Sequence, residues 1–195
     1  ISPGISGSLG QQVIIDNRPS DLTAEIAAKS QPDGYTLLIV GNNLWTLPLF
    51  QPAPYDAVKD FSPITSAVSS PSILVVHPSL PVKSVKELIA LAKARPGELN
   101  YATGGTGSAN HLGAELFKSM AGINIVRIPY KGGGPAIIDV IAGEVQMMFP
   151  TAALGGPHVK SGRLRALAVT TAQQSALAPG LPTVAAAGMP GYDVT

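Results

Sequence analysis

Short apolar blocks, separated by turns rich in glycine, proline and asparagine, recur along most of the chain. The blocks predict buried strands over residues 12–16, 35–40, 64–67, 73–77, 100–103, 125–128, 147–149 and 166–170. Stretches with a helical period lie between many of them, over residues 22–28, 85–94, 108–121 and 135–142. Because strands and helices alternate, the pattern predicts an α/β fold with mostly parallel sheets covered by helices.

Helix ends are marked by capping residues. Ser84 and Glu87 have the spacing of a capping box, which predicts a helix starting directly after Ser84. Pro135 is expected at the first position of its helix, with Gly143 just past the end. The first ten residues are interpreted as a helix that ends at Leu9-Gly10.

Composition narrows the class of function. Charged residues make up 13% of the chain and the net charge is +1, without any cluster of Lys and Arg, which argues against nucleic-acid binding. The chain has no cysteine, which excludes disulfides and thiolate metal sites. Because charged residues are few, an anionic ligand would be held mainly by backbone dipoles and hydroxyls.

The strongest candidate binding site is the turn between the strand at 100–103 and the helix that follows. It consists of Thr103, Gly104, Gly105, Thr106, Gly107 and Ser108. Glycines allow a ligand to approach the backbone, and the free amides at a helix start favour an anion. His111, in the first helical turn, is expected to donate to a ligand or a neighbouring loop. The alternative is a plain tight turn capped by Ser108. Asn110 stands where a dinucleotide fingerprint needs its third glycine.

Two weaker candidates follow other predicted strands. Tyr130 lies in a second glycine-rich turn and is a possible pocket wall, although Lys131 beside it also fits a solvated turn. Asn43 and Thr46 follow the strand at 35–40 and are able to hydrogen-bond a carboxylate. Trp45, between them, is either a pocket wall or a core residue.

Catalytic signals are weak. The three histidines, His77, His111 and His158, lie on separate segments without metal-ligand spacing, and no nucleophile elbow occurs. Asp139 and Glu144 are expected to be solvated. We therefore predict no catalytic residue, no metal and no cofactor. One enzyme alternative stays open, an α/β hydrolase-like reaction that uses the glycine-rich turn as an oxyanion site and needs Ser108 beside a histidine.

Six motifs occur in a fixed order along the chain. They are DGYTLL at 33–38, PYDAVKDF at 54–61, VVHPSLP at 75–81, PYKGG at 129–133, LRALAVT at 164–170 and LPTVA at 181–185. In this combination the chain resembles the substrate-binding proteins of tripartite tricarboxylate transporters, the Bug-type receptors, over nearly its whole length.

The resemblance implies a two-lobed, flytrap-like periplasmic binding protein. Lobe 1 would comprise residues 1–75 and lobe 2 residues 76–195, with hinge segments at 75–84 and 190–195. By this resemblance, we expect the chain to lack the first strand with its Pro-Gly-Gly loop and the carboxy-terminal return to lobe 1. Residues 1–4 show no signal-peptide pattern.

The resemblance also implies a function. A monomeric receptor would capture a small carboxylate between its lobes in the periplasm and deliver it to a membrane permease. Residues 103–108 and His111 would form the grip of lobe 2, and Asn43 part of the grip of lobe 1. Pro150 and Thr151 stand where many relatives carry Asp or Asn, at a position that helps to select the ligand. A ligand sensor for a signalling partner is the alternative.

Overall fold

The computed structural model of the protein describes residues 2–19, 22–67 and 70–194. Seven helices are described, α1 (Ser2–Leu9), α2 (Thr23–Ala28), α3 (Asn43–Thr46), α4 (Val85–Ala94), α5 (Ala109–Ala121), α6 (Gly133–Ala142) and α7 (Ala152–Lys160), together with a 3-10 turn at Leu47–Leu49. The strands are β1 (Ile73–Val76), β2 (Asn100–Thr103), β3 (Val126–Pro129), β4 (Met147–Met148) and β5 (Arg165–Val169). Among the described helices, none has both the length and the apolarity to cross a bilayer.

The five strands form one sheet in the order β3-β2-β4-β1-β5. β2 runs parallel to β3 and β4, whereas β1 runs antiparallel to β4 and β5. Four strands therefore share one direction, and the predicted mostly parallel sheet is confirmed with β1 as the exception. Helices α5, α6 and α7 are the crossovers that join these four parallel strands in succession. β1 is joined through α4 to β2, which runs in the opposite direction two places away in the sheet.

Helices cover both faces of this sheet, as predicted. Along β1 the side chains alternate, so that Leu74 and Val76 pack with α4 and α5 while Ile73 and Val75 pack with α6 and α7. Period-two alternation in a strand with buried residues on both faces is typical of a sheet between two helical layers. The α/β fold class is therefore confirmed for residues 73–169.

The residues predicted to mark helix ends within residues 73–169 are also confirmed, with one correction. The Ser84 hydroxyl accepts from the Glu87 amide at 3.2 Å, and the Glu87 carboxylate accepts from the Lys83 amide at 2.7 Å. Helix α6 begins at Gly133, so Pro135 is its third residue and not its first as predicted. Proline is tolerated there because the amides of the first helical turn have no intrahelical acceptor anyway.

The three strands predicted in the first part of the chain were wrong. Residues 12–16, 35–40 and 64–67 are not in any strand, and many of their apolar side chains are exposed, Tyr35 by 92% and Ile64 by 77%. A strand needs a neighbour for its backbone groups, and none of the described residues up to 67 supplies one. Leu38 and Val40 still pack on a small cluster formed by Ala24, Leu44 and Tyr55.

Both segments predicted as hinges are tied to β5 or the residue after it. The Arg165 guanidinium donates to the carbonyls of Leu80 at 3.1 Å and Val82 at 2.9 Å. The Thr170 hydroxyl donates to the carbonyl of Val194 at 2.8 Å. Thr195, the last residue of the second predicted hinge, lies outside the described residues. The lobe boundaries remain a prediction.

Candidate functional site

The glycine-rich turn stands at the carboxyl end of β2, which lies between β3 and β4 in the sheet. Residues 104–107 follow the strand directly, and Ser108 is the N-cap of α5, its hydroxyl accepting from the amide of His111 at 3.4 Å. We call residues 103–108 the glycine loop. In open α/β sheets, ligands bind outside the carboxyl ends of the strands. The sheet therefore places the glycine loop where such folds hold their ligands.

Two of the amides expected to be free in the glycine loop are already used. The Gly107 amide donates to Nδ1 of His111 at 3.1 Å, and the Ser108 amide donates to the Gly105 carbonyl at 3.2 Å. These two amides are therefore not among the free donors predicted for this turn, because the turn closes on itself before α5 begins. Within the described ranges, no acceptor is bonded to the amides of the residues that remain, Gly105, Thr106, Ala109 and Asn110. The first helical turn retains its positive end.

Two threonine hydroxyls of the loop accept hydrogen bonds from one arginine. Arg127, on β3, donates from Nε to Oγ1 of Thr103 at 3.0 Å and from Nη2 to Oγ1 of Thr106 at 3.1 Å. Thr103 is fully buried and Thr106 is half-buried. The sequence reasoning missed Arg127, since a single arginine on a short strand carries no local motif. Only the pairing of Tyr101 with Arg127 across the sheet brings it to the loop.

His111 is a hydrogen-bond acceptor for the glycine loop and is not placed as a catalytic base. Its ring is buried, its Nδ1 accepts from Gly107, and its centroid lies 5.7 Å from that of Phe50. Burial and then the Arg127 cation lower the pKa of His111 from its ordinary value of 6.5. The ring is therefore neutral near pH 7, and the tautomer inferred from the accepting Nδ1 carries its proton on Nε2. The expected contact with a neighbouring loop is found, but His111 accepts where it was expected to donate.

Residues from the first part of the chain reach the same loop. The Thr46 hydroxyl donates to the Gly107 carbonyl at 2.6 Å, and Phe50 lies against His111. Asn43 is buried at the start of α3. Trp45 is 52% exposed, so its interpretation as a core residue was wrong: α3 turns its Asn43 and Leu44 side inward. Thr46 was predicted to bond a carboxylate, and its contact with the glycine loop is an observation that the sequence reasoning did not predict.

Tyr130 lies beside the glycine loop but uses its hydroxyl within the protein. Its amide donates to the Thr103 carbonyl at 2.9 Å, and its hydroxyl donates to Oδ2 of Asp139 at 2.7 Å. Burial, and then the hydrogen bond to Asp139, raise the pKa of Tyr130 to about 12. Asp139 is thus not purely solvated as expected, because Tyr130 reaches back to it over α6. Only the ring of Tyr130 is left to wall a pocket.

Pro150 and Thr151 follow β4, which runs parallel to β2, so they stand at the same edge of the sheet as the glycine loop. The Pro150 carbonyl accepts from the Ile73 amide at 2.8 Å. The Thr151 hydroxyl caps α7 by accepting from the Leu154 amide at 3.3 Å. Both residues therefore have structural contacts of their own, and the parallel strands bring them to the loop's edge together with Tyr130.

The geometry does not favour the enzyme alternative. Ser108 bonds the backbone of His111, and among the described residues no hydrogen bond joins its hydroxyl to an imidazole ring. A nucleophile and its base must lie within hydrogen-bond reach of one another. In the part of the chain that the structure covers, no group of three or more histidine or carboxylate residues has the arrangement of a metal site.

Comparison with known proteins identifies the family. The model of the "tripartite tricarboxylate transporter family receptor" matches residues 1–195. The chain belongs to this receptor family. Two relatives are the UPF0065 protein of the tcbD-tcbE intergenic region of Pseudomonas sp. strain P51, 36% identical over all of the chain, and BugT of Bordetella pertussis, 38% identical over 96% of it. The chain spans 59% and 60% of the lengths of these two relatives.

Solved structures of similar proteins agree with the fold. The Rhodopseudomonas palustris protein Rpa4515, solved with adipate, has a TM-score of 0.95 and 37% identity over 99% of the chain and 66% of its own. MatC of Rhodopseudomonas palustris, solved with malate, has a TM-score of 0.88 and 25% identity over 99% and 67%. The periplasmic binding protein BugD has a TM-score of 0.92 and 28% identity over 99% and 66%. The predicted periplasmic-binding-protein architecture is confirmed.

Proposed function

We propose that this chain is the ligand-gripping part of a receptor that captures a small carboxylate and does not transform it. The glycine loop carries the proposal, because it presents backbone amides without acceptors among the described residues, at a helix N-terminus and at the carboxyl end of an interior strand. Oriented amides and the helix dipole stabilise a carboxylate without a full salt bridge. The relatives solved with adipate and with malate support the same ligand class.

The contacts divide between the two proposed lobes. The glycine loop and His111, with Tyr130, Pro150 and Thr151 along the same sheet edge, would form the grip of lobe 2, residues 76–195. Asn43 and Thr46 would serve lobe 1, residues 1–75, and Thr46 already touches the loop. A carboxylate that contacts both lobes stabilises the closed state by its additional contacts there. Hinge segments at 75–84 and 190–195 would allow the movement.

The proposed biological setting follows the family. A monomeric receptor in the periplasm would deliver the carboxylate to the permease of a tripartite tricarboxylate transporter. Deletion of the receptor gene should then abolish uptake of the radiolabelled acid, and uptake should return with the wild-type gene. Unchanged uptake together with a lost transcriptional response to the acid would point to the sensor alternative instead.

Binding itself is tested by calorimetry on the full-length protein. Adipate and L-malate are titrated separately, and adipamide, the neutral diamide of adipate, is the matched control for charge. We expect saturable binding of at least one of the two acids and no measurable binding of adipamide. Binding of adipamide as tight as that of adipate, or no binding of any carboxylic acid in a wider thermal-shift screen, would overturn the proposal.

A further inference from the structure

Arg127 makes an unusual set of contacts behind the glycine loop. It is half-buried on β3, and its guanidinium donates to two hydroxyls, those of Thr103 and Thr106, through two different nitrogens. A planar fork that binds two acceptors fixes their separation as well as their positions. The last residue of β2 and the apex of the loop are thereby held at one spacing.

These bonds also decide what the hydroxyls offer to a ligand. A threonine hydroxyl has one proton and two lone pairs. Because Oγ1 of Thr106 accepts from Arg127, its own proton remains available for another acceptor, and among the described residues no acceptor receives it. The hydroxyl is thus set as a donor next to the free amide of the same residue. An anion, which only accepts, is the partner that this arrangement suits.

The charge of Arg127 is not neutralised by a nearby carboxylate. Within the described ranges, no Asp or Glu oxygen lies within 4.0 Å of its guanidinium nitrogens. Glu115, on the neighbouring helix α5, instead accepts from the Tyr101 hydroxyl and pairs with Lys118 at 3.2 Å. A half-buried cation without a counter-ion attracts an anion that comes close to it.

We infer that Arg127 is a positioning residue for carboxylate binding. It acts through Thr103 and Thr106, orienting the Thr106 hydroxyl as a donor and supplying the positive potential behind the loop. The carboxylate of the ligand is its missing counter-charge, although the two do not touch. This inference rests on the proposed function of the loop and adds a cation to a site that otherwise consists of dipoles.

The test compares Arg127→Gln, Arg127→Lys and Thr106→Val in full-length protein, titrated with adipate, or with L-malate if the wild type prefers it. Arg127→Gln removes the positive charge behind the loop and the fork that orients the Thr106 hydroxyl, so we expect it to bind the acid at least about tenfold more weakly. Arg127→Lys keeps the charge but lacks the planar fork, so its affinity for the acid should lie between those of the wild type and Arg127→Gln. Arg163→Gln is the matched control, because Arg163 also donates to a hydroxyl, Ser161 at 3.2 Å, in an exposed turn; it should bind like the wild type.

Two readouts separate this electrostatic role from a merely structural one. The slope of log Kd against log salt should be shallower in Arg127→Gln than in the wild type, whereas loop distortion alone would weaken binding equally at all salt concentrations. In the unliganded protein, the pKa of His111, followed by NMR, should be higher in Arg127→Gln, since the Arg127 cation lowers it. The second readout needs no ligand. If the wild type binds no acid and the proposed function fails, it still tests whether the Arg127 cation acts on His111.

Several results would overturn the inference. One is a folded Arg127→Gln protein that binds the acid with wild-type affinity; another is an unchanged pKa of His111 in that protein. If Arg127→Gln does not fold, Thr106→Val decides the matter, because it keeps the cation and removes only the donor hydroxyl. Thr106→Val should bind about tenfold more weakly, the loss expected for one hydrogen bond to a charged group. Undiminished affinity in Thr106→Val would refute the role assigned to that hydroxyl.

Discussion

The hydroxyl of Thr46 donates to the carbonyl of Gly107 at 2.6 Å, joining two residues that are 61 positions apart in the sequence. The contact links α3, in the first part of the chain, to the glycine loop. A Cβ on Gly107 would lie only 2.5 Å from that same hydroxyl oxygen. The approach is therefore possible only with glycine at this position, and it couples the shape of the loop to the placement of α3.

Replacing Thr46 by valine removes this bond, and the longer contact of the same hydroxyl with the Asn42 carbonyl at 3.1 Å, while conserving the volume of the side chain. We expect the free energy of unfolding to fall by about 1 kcal/mol, the usual contribution of one hydrogen bond, and the affinity for adipate to fall with it. Urea unfolding and calorimetry measure the two effects. Thr171→Val is the control, because Thr171 donates to the Gln173 carbonyl at 2.7 Å in an exposed turn. Equal losses in both variants would mean that the Thr46 bond has no particular role in the loop.

Gly107→Ala tests the close approach itself. Gly107 has a φ of +76°, which disfavours any residue with a side chain, and the new methyl would overlap Thr46. Gly162, with a φ of +73° and open space around it, has the same backbone strain without the overlap. We expect Gly162→Ala to cost about 1–2 kcal/mol from strain alone. Gly107→Ala should cost about 1–3 kcal/mol more, from overpacking.

Denaturant unfolding of both variants gives the comparison. The difference between their losses isolates the steric contact with Thr46 from the conformational preference of glycine. Indistinguishable losses would show that the loop shifts freely away from α3, and the coupling between the two would then be absent.

Acidification should weaken the loop through His111. Its pKa is lowered in the folded state, so the unfolded chain binds a proton near pH 6.5 while the folded chain still resists it. The stability contributed by neutral His111 is therefore complete above about pH 6.5 and declines as the pH falls below that value. Protonation of Nδ1 also removes the acceptor of the Gly107 amide.

The comparison protein is His111→Asn, in which an amide oxygen takes the place of Nδ1 as the acceptor. Thermal unfolding between pH 7.5 and 5 should show a steeper loss of Tm in the wild type than in this variant. Parallel Tm profiles for the two proteins would show that His111 does not titrate with a lowered pKa, and its assignment as a neutral acceptor would have to be abandoned.

The sequence predicted most of the sheet domain because its signals are local. Ser84 and Glu87 lie three residues apart, and their capping box needs nothing from the rest of the fold. The glycine loop was found for the same reason, since a strand, a turn and a helix start are contiguous. The residues of the loop were therefore predictable, although the use of the Gly107 amide by His111 was not.

Contacts between distant segments could not be predicted from the sequence. Arg127 reaches Thr106 only because β3 lies parallel beside β2, and nothing within its own strand marks it. In residues 35–40 the apolar run indicated a buried strand, but strand formation depends on a neighbouring strand that the run itself does not specify. The bond between Thr46 and Gly107 belongs to the same class of long-range contact, beyond the reach of motifs and spacing.

The central claim is that the unbonded amides of the glycine loop hold the carboxylate of the ligand. Titration of 15N-labelled full-length protein with adipate, or with L-malate if that acid binds better, tests it most directly. The amide resonances of Gly105, Thr106, Ala109 and Asn110 should move downfield and saturate at the Kd found by calorimetry, while that of Gly162 stays in place. Saturating binding that leaves these four resonances unmoved would contradict the claim.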